Sequence, residues 1–248
     1  MQCMEMLTEI KREKCFDSIK KYDAATIICL KESLDGLHVL LGQNECKNFL
    51  KSTISTNIIM RYPGEYKLPG GVVEKNETLK QAALRELVEE YIGVKANESN
   101  INIHFFNRKE TLPIQGKTYV MNNFIAFADE NDWVEADLVS IINNNLKIKR
   151  ERFQQSISDD SYWNMSYEDK CKLSPEVNSV QWFNIEKAIE MLECSERQPI
   201  QYVNDFQKQE FIKYGITSRD PMYQTKITLQ DVLSLKSKKN IINACTKS

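Results

Sequence analysis

The sequence predicts an α/β fold, in which strands rich in β-branched residues alternate with amphipathic helices. Three observations carry that expectation. Ala24 to Leu30 is an unbroken apolar run of strand length, answered across a turn by Leu37 to Leu41. Thr78 to Tyr91 sets Leu79, Ala82, Ala83, Leu87 and Val88 on one helical stripe. Val177 to Phe183 returns to strand composition and leads into a helix over Ile185 to Leu192.

The remaining elements follow in chain order. Residues 4 to 21 read as a short amphipathic helix, with Met4, Leu7, Ile10, Phe16 and Ile19 as its apolar positions. Ser33 to Gly36 supplies the turn of a hairpin. Gly42 to Asn57 is polar and reads as loop with some helix. The two Pro-Gly pairs of Arg61-Tyr-Pro-Gly-Glu-Tyr-Lys-Leu-Pro-Gly-Gly71 punctuate short extended pieces. Gly93 is a stop signal just past the Thr78 helix. Ile101 to Lys109 and Thr118 to Ala128 are strands joined through a turn at Gln115-Gly116-Lys117. Residues 129 to 175, with Trp133, Trp163 and several Asn, read as an insertion with some helix. In residues 195 to 248, Thr228 caps a final helix that holds Val232 and Leu235. The expected organisation is an N-terminal helix over 1–21, a principal domain over 22–195 interrupted at 129–175, and a helical extension over 196–248.

Composition narrows the function. Of 248 residues, 42% are hydrophobic and 27% charged, as in an ordinary globular chain. A formal net charge of -2 lacks the basic excess that gripping long nucleic acid requires, which favours a small-molecule partner. A local basic patch stays open. Cys3, Cys15, Cys29, Cys46, Cys171, Cys194 and Cys245 are odd in number and form no CxxC pair, so free thiols in a reducing compartment are expected. No stretch approaches the ~18 apolar residues of a membrane span. A soluble cytoplasmic protein follows as an expectation. Nothing in the sequence speaks to oligomeric state.

The chemistry concentrates between Gly71 and Glu90. On one helix, Glu86, Glu89 and Glu90 stand at i, i+3 and i+4 and project from one face. Glu-rich faces are commonly just solvated. Three like charges there also repel one another, a penalty that a divalent cation removes. Carboxylate oxygens are hard ligands suited to Mg²⁺ or Mn²⁺, and Mg²⁺ takes substrate phosphate oxygens as further ligands.

The spacing Gly71-x5-Glu77-x7-Arg85-Glu86-Leu87-x-Glu89-Glu90 resembles the box of the Nudix hydrolase superfamily. The resemblance implies an α/β/α sandwich around a mixed central sheet, here with a helical insertion and a C-terminal extension. It further implies that Glu86, Glu89 and Glu90 ligate Mg²⁺ or Mn²⁺, that a carbonyl of Gly70 or Gly71 joins them, and that these glycines form the tight loop before the helix. Glu77 is expected to pair with Arg85 and support the loop. Glu74 reads as a solvated loop residue. The family places a Gly two residues after the last Glu, whereas here Tyr91-Ile92-Gly93 is one residue longer. Glu176 stands where many members carry a further metal-binding or basic carboxylate. Its plain alternative is an exposed strand-start Glu.

The implied reaction is hydrolysis of the pyrophosphate bond of a nucleoside diphosphate linked to another group, with water as nucleophile. Glu86 is the first choice of base, Glu176 the second, and Glu130 or Glu135 the third. His38 and His104 read as packed or surface residues. The approach to Gly70-Gly71 resembles the branch that hydrolyses coenzyme A and acyl-CoA, although that branch has an Arg where Gly42 stands. ADP-ribose or NADH hydrolysis, mRNA decapping and a non-catalytic nucleotide-binding module are the alternatives.

Overall fold

A computed structural model describes residues 20–53, 56–92, 100–111, 117–131, 137–193, 198–199, 205–216, 218–219 and 222–245. The expected helix over residues 4 to 21 lies outside them, except that Lys20 and Lys21 belong to a strand. Gly93, Gln115 and Gly116 also lie outside.

Strand β1 (Lys20–Ser33) and strand β2 (Gly36–Asn44) form the expected antiparallel hairpin, with Leu30 opposite Val39. β1 and β2 then part, and two short pieces occupy the gap. β3 (Tyr66–Lys67) pairs with β2, and β4 (Gly70–Val72) pairs with β1. Gly70 and Gly71 are therefore strand residues opposite Thr26 and Ala25, not the tight loop the sequence suggested. Proximity, not turn geometry, demands glycine here. A Cβ on Gly70 would lie 2.4 Å from Thr26 Cγ2 and 2.6 Å from the Ala25 carbonyl.

Helix α1 (Leu79–Leu87) starts at a reciprocal cap. Thr78 Oγ1 accepts the Gln81 N–H at 3.2 Å, and Gln81 Oε1 accepts the Thr78 N–H at 2.9 Å. The helix does not continue as α to Tyr91. Val88–Ile92 is a π-helical turn. Such turns occur inside α-helices as bulges, where the i→i+5 pattern admits one extra residue. That absorbs the residue by which this chain exceeds the family spacing.

β5 (His104–Glu110) pairs antiparallel with β6 (Lys117–Phe127), and β6 runs parallel to β1 from Lys20 opposite Lys117 to Leu30 opposite Phe127. Helix α2 (Leu138–Ser158) and helix α3 (Tyr167–Leu173) fill most of the predicted insertion. β7 (Val177–Asn184) then returns to pair with β2, and helix α4 (Ile185–Glu193) follows. The result is a mixed seven-stranded sheet, ordered β3-β2-β1-β6-β5, with β4 on β1 and β7 on β2.

Strand alternation sorts the core into two layers. Ala25, Ile27 and Cys29 face α1, the π turn and α2, among Ala83, Leu87, Tyr91 and Ile142. Ile28 and Leu30 face the other way, onto Ile185 and Leu192 of α4. The C-terminal segment supplies β8 (Gln198–Pro199), α5 (Asp205–Lys213), β9 (Ser218–Arg219), α6 (Tyr223–Ser234) and α7 (Lys238–Cys245). Leu229 and Val232 of α6 and Ile241 of α7 are buried in that second layer. The extension thus completes the α/β/α sandwich. Thr228 is not a cap: it is buried inside α6, whose N-cap is Met222, and the last helix is α7.

The insertion helix α2 is equally integral. Asn143 exchanges two hydrogen bonds with the Val180 backbone, and Arg150 pairs with the buried Glu45 at 2.6 Å. Asn145 donates to the Ile92 carbonyl at 2.6 Å and Lys149 to the Glu89 carbonyl at 3.0 Å. Those bonds satisfy carbonyls that the end of a helix leaves without intrahelical partners. No helix among the described residues is long and apolar enough to cross a membrane.

Candidate active site

The divergence of β1 and β2 opens a place for the Gly70-Gly71 strand beside helix α1. A Cβ on Gly71 would lie 2.2 Å from Glu86 Oε1, so only glycine leaves room for that carboxylate. Above the strand is a cavity of about 550 Å³ whose wall includes Arg85, Glu86, Glu89, Glu90, Lys149 and Glu176. Change of helix type at Val88 does not scatter the three box carboxylates, since all of them line this one cavity.

Arg85 is the hinge of the arrangement. Its Nε and Nη2 hold Glu77 at 2.9 and 3.2 Å, and Nη2 also donates to the Val72 carbonyl. Nη1 donates to Glu86 at 2.7 Å and Glu89 at 3.2 Å. A planar guanidinium has five donors in fixed directions, so one residue can tie the loop, the strand and two helix carboxylates together. Burial opposes charge on both members of the Arg85–Glu77 pair. Their mutual hydrogen bonds prevail, holding the guanidinium above its ordinary pKa and Glu77 below its own, the latter helped by the Glu74 N–H.

Glu90 is buried. Its carboxylate meets Lys67 Nζ and accepts the Gly70 N–H at 3.0 Å. Burial pushes the Glu90 carboxyl up to about 8, with Glu86 and Glu176 adding to the push and Lys67 opposing it. Burial raises Glu86 as well, against Arg85 and Lys67. Burial disfavours charge on Lys67 too, but the facing Glu90 and Glu176 carboxylates keep it protonated. Glu86 and Glu90 are thus both pushed up, by burial first, and their partners Arg85 and Lys67 offset that push only in part.

Among the described residues, no three His, Cys, Asp or Glu side chains converge as a ready-made ion cage. Arg85 engages Glu86 and Glu89, and Lys67 engages Glu90. The residues nevertheless fit a hard divalent cation. Their donors are carboxylate oxygens, they share one cavity, and their negative charge is what a cation offsets.

Glu176 enters from the start of β7, with its side chain 44% exposed and 4.0 Å from Lys67. Glu74 is exposed on the loop, as expected, and reaches the cavity rim. The third-choice bases separate from the site. Glu130 binds His104 Nε2 at 2.6 Å and Lys238 at 3.3 Å and does not line the cavity. Glu135 lies outside the described residues. His38 sits at the hairpin turn, 3.2 Å from the Gly36 carbonyl.

Two cations escaped the sequence reading. Lys67 follows a loop with no periodic signal of its own. Lys149 did carry a signal, because it falls on the α2 stripe Ile142, Leu146, Lys149, Phe153, where an isolated cation among apolar residues marks an inward-facing charge. Burial lowers the Lys149 ammonium, against the pull of Glu176, Glu90 and Glu89.

Solved structures that resemble this chain include the following three. A MutT/nudix family protein from Enterococcus faecalis is 24% identical, with TM-score 0.33, over 50% of this chain and 43% of its own length. The match thus spans less than half of that protein. A C. elegans Ap4A hydrolase binary complex is 17% identical, with TM-score 0.39, over 78% of this chain and 96% of that one. The NUDIX domain of Shewanella oneidensis NrtR complexed with ADP ribose is 15% identical, with TM-score 0.36, over 81% and 91%. No curated protein sequence matches the chain. The family model described as NUDIX domain matches residues 24–140, a span that encloses the Gly71–Glu90 segment and most of the sheet carrying it. Residues 24–140 thus match the NUDIX domain, the family whose box the spacing from Gly71 to Glu90 resembles.

Proposed function

We propose that this protein hydrolyses the pyrophosphate bond of a small nucleoside diphosphate derivative, with Mg²⁺ or Mn²⁺ as its cofactor. The observation that carries the reading is the single cavity into which Glu86, Glu89, Glu90 and Glu176 all open, beside the half-buried Lys149 and close to the buried Lys67. Glu86, Glu89 and Glu90, with a carbonyl of Gly70 or Gly71, would hold the cation, which when bound supplies charge neutralisation and water activation. Glu77 and Arg85 fix the loop and helix against each other, so that the carboxylates are positioned before substrate arrives. Glu86 is the first candidate to take a proton from the attacking water. It begins the ligand cluster, and a base must lie within hydrogen-bond reach of the attacking water. Glu176, half-exposed at the cavity mouth, is the second. Lys149 presents an ammonium suited to a phosphate oxygen.

A specific observation weighs against coenzyme A. The position that carries Arg in the CoA branch is Gly42. Its N–H binds the Tyr91 hydroxyl at 2.6 Å, and a Cβ there would lie 2.7 Å from the Tyr91 ring. A nucleoside diphosphate derivative without the pantetheine arm, such as ADP-ribose, NADH or a dinucleoside polyphosphate, is therefore favoured.

The test is a turnover screen in Mg²⁺ and in Mn²⁺ against CoA, ADP-ribose, NADH, dinucleoside polyphosphates and capped RNA. Release of a nucleoside monophosphate from a small diphosphate, absent in Glu89→Gln, is expected. Cleavage of capped RNA alone, or nucleotide binding without any turnover, would replace this reading with decapping or with a binding module.

A further inference from the structure

A second cavity, of about 580 Å³, lies between the 47–53 segment and helix α2, and the reaction above does not use it. Its walls include Phe49, Phe153 and Trp163, together with Lys47, Gln154 and Asp160. The aromatic rings form a continuous series. Phe49 and Phe153 have centroids 4.7 Å apart, Phe153 meets Tyr162 at 5.1 Å, and Tyr162 meets Trp163 at 5.2 Å. Lys47 Nζ lies 5.6 Å from the Phe49 ring centre. Asp160 holds a left-handed backbone, φ 60°, at the start of the short turn that presents Trp163, and its side chain makes no capping bond. Left-handed non-glycine residues cluster where a ligand site over-determines the backbone.

The two cavities adjoin at neighbouring positions in the chain. Leu50 lines the catalytic one and Phe49 the aromatic one, and consecutive Cα atoms are only about 3.8 Å apart. On the other side, Trp163 lines one and Tyr167 the other. These segments are tied together. Tyr162, buried, shares a 2.7 Å hydrogen bond with Ser174 and donates to the Phe49 carbonyl at 3.4 Å. Ser174 precedes Glu176 by two residues.

We infer that the Phe49–Phe153–Trp163 cavity binds the nucleobase of the diphosphate substrate. A nucleobase is planar and polarisable and stacks on aromatic faces. Gln154 and Asp160 line the same cavity and offer hydrogen-bonding groups for a base edge. This rests on the hydrolase reading of the neighbouring cavity but can be tested apart from it.

The experiment measures Kd of the four nucleoside 5′-monophosphates, and of ribose 5-phosphate as the base-free control, for the full chain and for Trp163→Ala, Trp163→Phe and Phe49→Ala. At least one nucleotide is expected to bind wild type. It should weaken about 10- to 100-fold in Trp163→Ala, recover in Trp163→Phe, and weaken in Phe49→Ala, while ribose 5-phosphate is unchanged. Should Trp163→Ala fail to fold, the Phe variant and wild-type NMR shifts at Phe49 and Phe153 decide the matter. No nucleotide binding to wild type, or equal binding by all folded variants, overturns the inference. Nucleotide binding that follows this pattern without turnover of any diphosphate overturns the hydrolase reading and leaves the base site standing.

Discussion

The Tyr91 hydroxyl accepts the backbone N–H of Gly42 at 2.6 Å and donates to the Lys67 carbonyl at 2.7 Å. One fully buried phenol thus joins β2 to β3, directly beneath the residue that pairs with Glu90. The π turn is what brings Tyr91 to that position, one residue after the last box carboxylate. One side chain therefore ties the π turn to both strands.

Tyr91→Phe removes both bonds and leaves a buried N–H and a buried carbonyl without that partner. Leaving such groups unsatisfied costs about 1–3 kcal/mol each, so a loss of roughly 2–6 kcal/mol is expected. Urea unfolding should show a lower midpoint at unchanged slope. A midpoint equal to wild type would mean that the phenol is not a structural tie. Gly42→Ala should be more severe, because its Cβ overlaps the ring.

Thr78→Ala removes the cap at the start of α1 and should destabilise by about 1 kcal/mol. The same unfolding measurement reads it. Since the cap lies a full helix away from Glu86, turnover by the folded fraction should be unaffected, and a large kcat change would show that the helix start is coupled to the site.

Arg85→Lys keeps the charge but cannot bridge Glu77, Glu86, Glu89 and Val72 at once. Hydrogen bonds to charged groups are worth about 1.5–3 kcal/mol. If that difference appears in the transition state, kcat/KM falls roughly 10- to 100-fold. Steady-state kinetics at saturating Mn²⁺ would reveal it, and a rate within twofold of wild type would contradict the positioning role.

Burial pushes the Cys29 thiol up to about 12 and the Cys245 thiol up to about 11. The thiolate is the reactive form, so both should resist iodoacetamide at pH 8 in the folded protein and react on unfolding. Peptide mapping of the alkylated chain checks this. Rapid native labelling at Cys29 would place it outside the core.

Legibility in the sequence followed the locality of the cause. Strands β1, β2 and β7 and helix α1 were readable because period, cap and turn residues all lie within each segment. The Glu77–Arg85 pair was readable only through family spacing, and the structure places the two in contact. The Gly70-Gly71 pair was misread as a loop because glycines forced by close approach look, in sequence, like glycines forced by a turn. Thr228 was misread as a cap because its partners in the second core layer are distant in the chain. The π turn had a trace, the one-residue excess at Tyr91-Ile92, but the length alone does not say where the helix absorbs it. Lys67 became visible only when β3 was set beside the helix.

The most direct test is calorimetric titration of Mn²⁺ into the metal-free full chain, compared with Glu89→Gln, which is partly exposed and should fold normally. Wild type should take up the ion and gain thermal stability as free ion exceeds Kd, and the variant should lose most of both. Equal uptake by the two proteins, or none by wild type, would show that Glu86, Glu89 and Glu90 do not gather a divalent cation.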